Sequence, residues 1–129
     1  MRVPLKAAVA VPIAAVAAAG LVAFSAGPAS AASHGSRVAQ KFVGGCAVDL
    51  SISHPKAGSA WAYAYVGPYS TGWTCQGYVK NTHGTKSWTP GGNGGWSGGV
   101  WDGKGYKAWS CVYAYDHGKF KTSGCTSSH

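Results

Sequence analysis

The chain has 129 residues and a formal net charge of +8, with only three acidic side chains, all Asp. Chemistry built on paired carboxylates, as in most glycoside hydrolysis, has to find both among Asp49, Asp102 and Asp116, and oxygen cages for calcium meet the same shortage. No phosphate loop, G-x-S-x-G elbow or H-E-x-x-H motif occurs, while six Trp and seven Tyr supply enough apolar surface to argue against disorder.

The first 31 residues have the layout of a secretory signal peptide. Arg2 and Lys6 give a basic start, Ala7 to Phe24 is almost wholly apolar, and Ala29-Ser30-Ala31 is a small-residue cleavage site. Cleavage after Ala31 leaves residues 32–129 with nine Lys and Arg against three Asp, a net charge of +6 and no membrane span. Residues 32–45 are expected to form a flexible arm, and 46–129 a single domain. The cut would also expose Ala32-Ser33-His34. An α-amine, two backbone amides and the His34 imidazole then make a square-planar nitrogen set that suits Cu(II) or Ni(II).

From Cys46 onward the periodicity is that of strands. Cys46, Val48, Leu50 and Ile52 alternate with small or polar residues, which predicts a strand with one buried face. After the break at His54–Gly58, Trp61, Tyr63 and Tyr65 alternate with Ala60, Ala62 and Ala64, ending at Gly67-Pro68. A third strand is predicted over Trp73–Lys80, with a turn at 81–84 and a hairpin partner over Thr85–Thr89. Pro90–Gly99 holds six glycines in ten residues and is expected to be irregular. Asp102-Gly103 predicts a tight hairpin between Val100-Trp101 and the long strand Tyr106–Tyr115, and Asp116-His117-Gly118 turns the chain into a final strand, Lys119–Cys125. Six or seven short strands without helical periodicity predict an all-β fold, a small antiparallel sandwich or barrel.

Cys46, Cys75, Cys111 and Cys125 form an even set without C-x-x-C spacing, which predicts two disulfides in an exported domain. A hairpin centred near Gly118 places Cys111 opposite Cys125, so the preferred pairing is 46–75 and 111–125.

Leu50 and Ile52 are the only Leu and Ile after the leader, so the core is expected to use Val and aromatic rings, including most of the Trp. Trp88, Trp96 and Trp101 are nonetheless candidate contact residues, Trp96 first because no strand is predicted to pin it. Lys104, Lys107, Lys119 and Lys121 are expected to gather into one anion-attracting patch. His54, His83 and His117 fall in predicted turns; Asp116 and His117 are expected to face apart, and no catalytic set or cofactor is assigned.

Gly98-Gly99-Val100-Trp101, followed by Trp109-Ser110, Tyr113, Tyr115 and His117, resembles a stretch of the lactococcin 972-type bacteriocins. That resemblance implies a small exported protein acting on the cell-wall precursor machinery of other bacteria. From the residues themselves the leading expectation is a secreted, monomeric, non-enzymatic module that binds an anionic or carbohydrate partner such as a cell-wall polymer. A bacteriocin-like role and a secreted hydrolase inhibitor with a protein partner stand beside it. Nucleic acid is not an expected partner, since no recognition motif is present.

Overall fold

The computed structural model describes residues 34–129, and the expected leader and its cleavage site lie outside them. Nine strands are present among the described residues: β1 (Ser36–Val43), β2 (Cys46–Ser53), β3 (Trp61–Pro68), β4 (Trp73–Asn81), β5 (Lys86–Trp88), β6 (Gly95–Trp96), β7 (Val100–Trp101), β8 (Ala108–Asp116) and β9 (Lys119–Cys125). All pairings are antiparallel. One sheet runs β1-β2-β3-β6 with β7 also on β3, and the other runs β9-β8-β4-β5. Neither sheet closes on itself, and the two stack as a small β-sandwich.

Three expectations change at this level. The arm over 32–45 is replaced from Ser36 by an edge strand, β1, whose residues pair with β2 from Ser36↔Ile52 to Val43↔Cys46. Its polar composition suits an edge, because its outer side chains meet solvent. The glycine-rich run is not wholly irregular, since Gly95-Trp96 pairs with Val66 and Tyr65. Asp102-Gly103 does not close a hairpin: β7 pairs with β3, and the loop that follows carries the chain into the other sheet.

The core is made of small residues. Leu50, Ile52, Ala60, Ala62, Ala64, Val79, Val100 and Ala108 form one cluster; Val43, Cys46, Val48, Val66, Cys75, Val112 and Ala114 form a second. The expectation of an aromatic core is overturned: no Trp or Tyr is fully buried. On β3 and β8 the alanines are buried, Ala62 and Ala64 in the first cluster with Ala108, and Ala114 in the second, while Tyr63, Tyr65, Tyr113 and Tyr115 alternate with them on the outer face. The likeness between these two segments therefore comes from two strands lining one interior from opposite sheets. Trp73 is half-buried and packs against the second cluster. Strand β2 is buried on both faces, because Asp49 and Ser51 on its outer side are covered as well.

Both expected disulfides are present. Cys46–Cys75 joins β2 to β4 and so ties the two sheets through the core. Cys111–Cys125 links opposed residues of the β8–β9 hairpin, whose turn places His117 at φ 51° and Gly118 at φ 83°. Two left-handed residues in succession make the tight turn that matches strand twist, which sets the register bringing the cysteines together.

Candidate functional site

Strand alternation puts the even residues of β4 and the odd residues of β8 on the outer face of their sheet. Tyr78 lies beside Cys111 and Trp88, Gln76 beside Tyr113, Thr74 beside Tyr115, and Phe120 beside Tyr115. The rings form a continuous row. Tyr78 meets Trp88 at 4.9 Å between centroids, Tyr113 lies 6.2 Å from both, and Phe120 lies 6.3 Å from Tyr113 and 5.8 Å from Tyr115. Trp88 and Tyr113 are tilted by only 21° from each other. Trp88 is 46% exposed and Phe120 55%, so the row is open to solvent at both edge strands of the sheet.

One end of this row is cationic. Lys80 and Lys86 are cross-strand partners, and Lys80 also pairs with Trp109. The Lys86 ammonium lies 4.4 Å from the centre of the Tyr78 ring and 5.3 Å from that of Trp88. Cation–π contact holds its charge over the platform and leaves the rest of its hydration shell open to a ligand. Burial, with Tyr113 beside it, holds the Tyr78 phenol above its ordinary range, so it stays a neutral hydrogen-bonding group.

The outer face of the opposite sheet is also aromatic but already occupied by its own contacts. Trp96 is half-buried, pinned by Tyr65 and stacked on His34 at 3.9 Å and 6°, so it is not the free contact residue expected from the glycine run. Trp101 packs edge-on against Trp61 at 5.3 Å. His34 also meets Tyr63, while Ala32 and Ser33, which the expected copper site needs, lie outside the described residues. Beneath these rings Asp49 accepts a hydrogen bond from Gln40 Nε2 at 2.7 Å and faces Arg37 at 3.6 Å.

Burial raises the Asp49 pKa, opposed in part by Gln40 and Arg37. A carboxyl raised above its unfolded value binds the proton more tightly in the folded state, so its contribution favours folding at low pH and declines as pH rises through the window above 3.8. Asp49→Asn is therefore expected to remove a downward slope of stability with pH there, read as thermal midpoints of wild type and variant from pH 3 to 7. Parallel curves would assign the slope to other groups.

The four lysines expected in one patch divide into two pairs. Lys104 and Lys107 precede β8, whereas Lys119 and Lys121 follow its far end, and nine residues of strand set the pairs roughly 30 Å apart. Asp116 and His117 do meet, contrary to expectation, with His117 Nδ1 at 2.6 Å from Asp116 Oδ1, because the left-handed turn swings the imidazole back.

Sequence reasoning singled out Trp88 on this platform but missed Tyr78, Tyr113, Tyr115 and Phe120. Their signal was present in the alternation with Val79, Val112 and Ala114, which marks them as one face. His129 was also missed. It donates from Nδ1 to Asp102 Oδ2 at 3.0 Å, across 27 residues of sequence. Among the described residues no group of three or more His, Cys, Asp or Glu is placed to hold a metal, and no helix is long and apolar enough to cross a membrane. Comparison with protein-family models, curated proteins and solved structures finds no match.

Proposed function

We propose that this chain is a secreted, non-enzymatic binding module that takes an anionic polysaccharide of a cell surface across the outer face of the β9-β8-β4-β5 sheet. The observation that carries the reading is the solvent-facing row Trp88–Tyr78–Tyr113–Phe120–Tyr115 with Lys80 and Lys86 at one end. A sugar ring presents a flat array of C–H groups that pack on an aromatic face, and an uronate or phosphate substituent supplies the charge that lysine attracts. Rings held by a sheet bind without losing side-chain freedom, which favours affinity. Export fits the leader-like first 31 residues and the two disulfides.

Sedimentation with an insoluble neutral glycan and with an acidic wall polysaccharide tests this. Trp88→Ala is expected to weaken retention on the acidic polymer roughly tenfold, the scale of an aromatic contact residue. Joint replacement of Lys80 and Lys86 by Ala is expected to abolish the preference for the acidic polymer and its sensitivity to salt. Unchanged retention of both variants, with folds confirmed by circular dichroism, would sink the reading.

A further inference from the structure

Asparagine occurs twice in the chain, at 81 and 93, in opposite surroundings. Asn81 is 1% exposed and its amide is engaged at both ends. Its Nδ2 donates to Trp101 O at 3.0 Å, and its Oδ1 accepts from His83 N and Thr85 N at 3.0 Å each. Asn93 instead lies in the exposed loop 90–93 that leads into β6.

Glycine follows Asn93 for a structural reason. Gly94 has φ of +85°, and a Cβ there would meet the Val66 carbonyl oxygen of β3. A side chain fits that approach only if β3 moves. The same lack of a side chain leaves the Gly94 nitrogen open to the Asn93 amide. On the other side, Gly92 has open space around its Cβ direction, and its carbonyl accepts from Cys75 N at 3.0 Å. Asn93 is thus exposed between two anchored glycines.

We propose that Asn93 is a site of spontaneous backbone modification, converting through a succinimide to isoaspartate and aspartate. The Gly94 nitrogen gives up its proton and attacks Asn93 Cγ. The N–Cγ bond forms, the Cγ–Nδ2 bond breaks, and ammonia leaves with that proton. Water then opens the ring. Addition at Cγ gives aspartate; addition at the main-chain carbonyl gives isoaspartate, whose chain runs through Cβ and Cγ. One water is consumed and one ammonia released, with no oxidant or reductant. Asp102-Gly103 presents the same neighbour, but the Asp102 side chain is 1% exposed and its Oδ2 is held by His129. Asn93 is the reactive one of the two.

Isoaspartate adds one backbone atom directly ahead of β6, which is two residues long and pairs Gly95 with Val66 and Trp96 with Tyr65. Ser97 beyond it is fixed, with Ser97 N donating to Ala64 O at 2.9 Å and Ala64 N to Ser97 Oγ at 2.8 Å. The added length therefore has to be absorbed within 93–96, and the pairing that positions Trp96 is what yields. Either product also adds a fourth acid to a chain that has three.

Incubation of the folded protein at mildly alkaline pH, followed by peptide mass mapping, tests this. Asn93 is expected to convert fully, with isoaspartate among the products, before any change at Asn81 is detected. Its rate should be close to that of the reduced, denatured chain, because the loop offers the amide to Gly94 in both. A folded rate far below the denatured one would overturn the proposal, since the anchors at 92 and 94 would then hold the reacting atoms apart. Aspartate as the sole product would overturn the succinimide route. Asn93→Gln closes a larger ring and is expected to stay unconverted over the same period; conversion at an equal rate would also count against that route. Hydrogen exchange separates length from charge. The isoaspartate form is expected to lose protection across β6, whereas Asn93→Asp, which adds only charge, keeps it. Equal loss in the two would overturn the effect assigned to backbone length.

Discussion

Replacing Cys46 and Cys75 together by Ala is expected to lower the stability of the domain by about 3–4 kcal/mol from chain entropy alone, the scale for a closed loop of this size. The loop spans 29 residues, and both cysteines are essentially shut off from solvent, so two small voids add to the loss. For a domain of this length that is a drop in melting temperature of more than about 15 °C. The same exchange at Cys111 and Cys125 closes only a 14-residue loop across a hairpin that already holds its register, and Cys125 is exposed, so a smaller loss is expected. Thermal melts of the two double variants check the order. A larger loss at 111–125 would mean that the β8–β9 hairpin, and not the link between sheets, limits stability.

Gly77→Ala is the second large effect. Gly77 sits on the inner face of β4, and a Cβ there would meet the Cys111 carbonyl oxygen and lie 2.6 Å from Val66 Cγ1. One obstacle is backbone of the neighbouring strand; the other belongs to the opposite sheet. Neither yields without moving a sheet, so a loss of about 3 kcal/mol is expected, at the upper end for overpacking. Gly84 is the natural control. It has open space around its Cβ direction but φ of +91°, so Gly84→Ala isolates backbone strain and should cost about 1 kcal/mol. Chemical denaturation of the two variants separates the mechanisms, and equal losses would show that close approach at Gly77 is relieved by small shifts.

Periodicity located the elements well because it depends on local geometry. Strands β2 and β9 fall where alternation and turn residues put them, and the Gly118 turn was enough to pair Cys111 with Cys125. What alternation does not carry is the sign of each face. On β3, area alone favours Tyr63 and Tyr65 inside and Ala62 and Ala64 outside; the fold chooses the reverse, since two short sheets enclose too little volume for large rings on both inner faces. Long-range pairings were equally hidden. Nothing near Trp96 announces Tyr65 as its partner, and nothing near His129 announces Asp102; both contacts arise from how the chain crosses between sheets.

All six indoles lie outside the fully buried core, and this shapes what light can report about the molecule. Only Trp61 and Trp88 are exposed, and the other four indoles are half-buried. Tryptophan emission from the folded protein should therefore fall between that of buried and of water-exposed rings, and unfolding will shift its colour only part of the usual way. The change expected on heating or in denaturant is thus better followed by far-ultraviolet dichroism. Trp88, by contrast, stands where a bound chain would cover it, and its fluorescence becomes a sensor of occupancy.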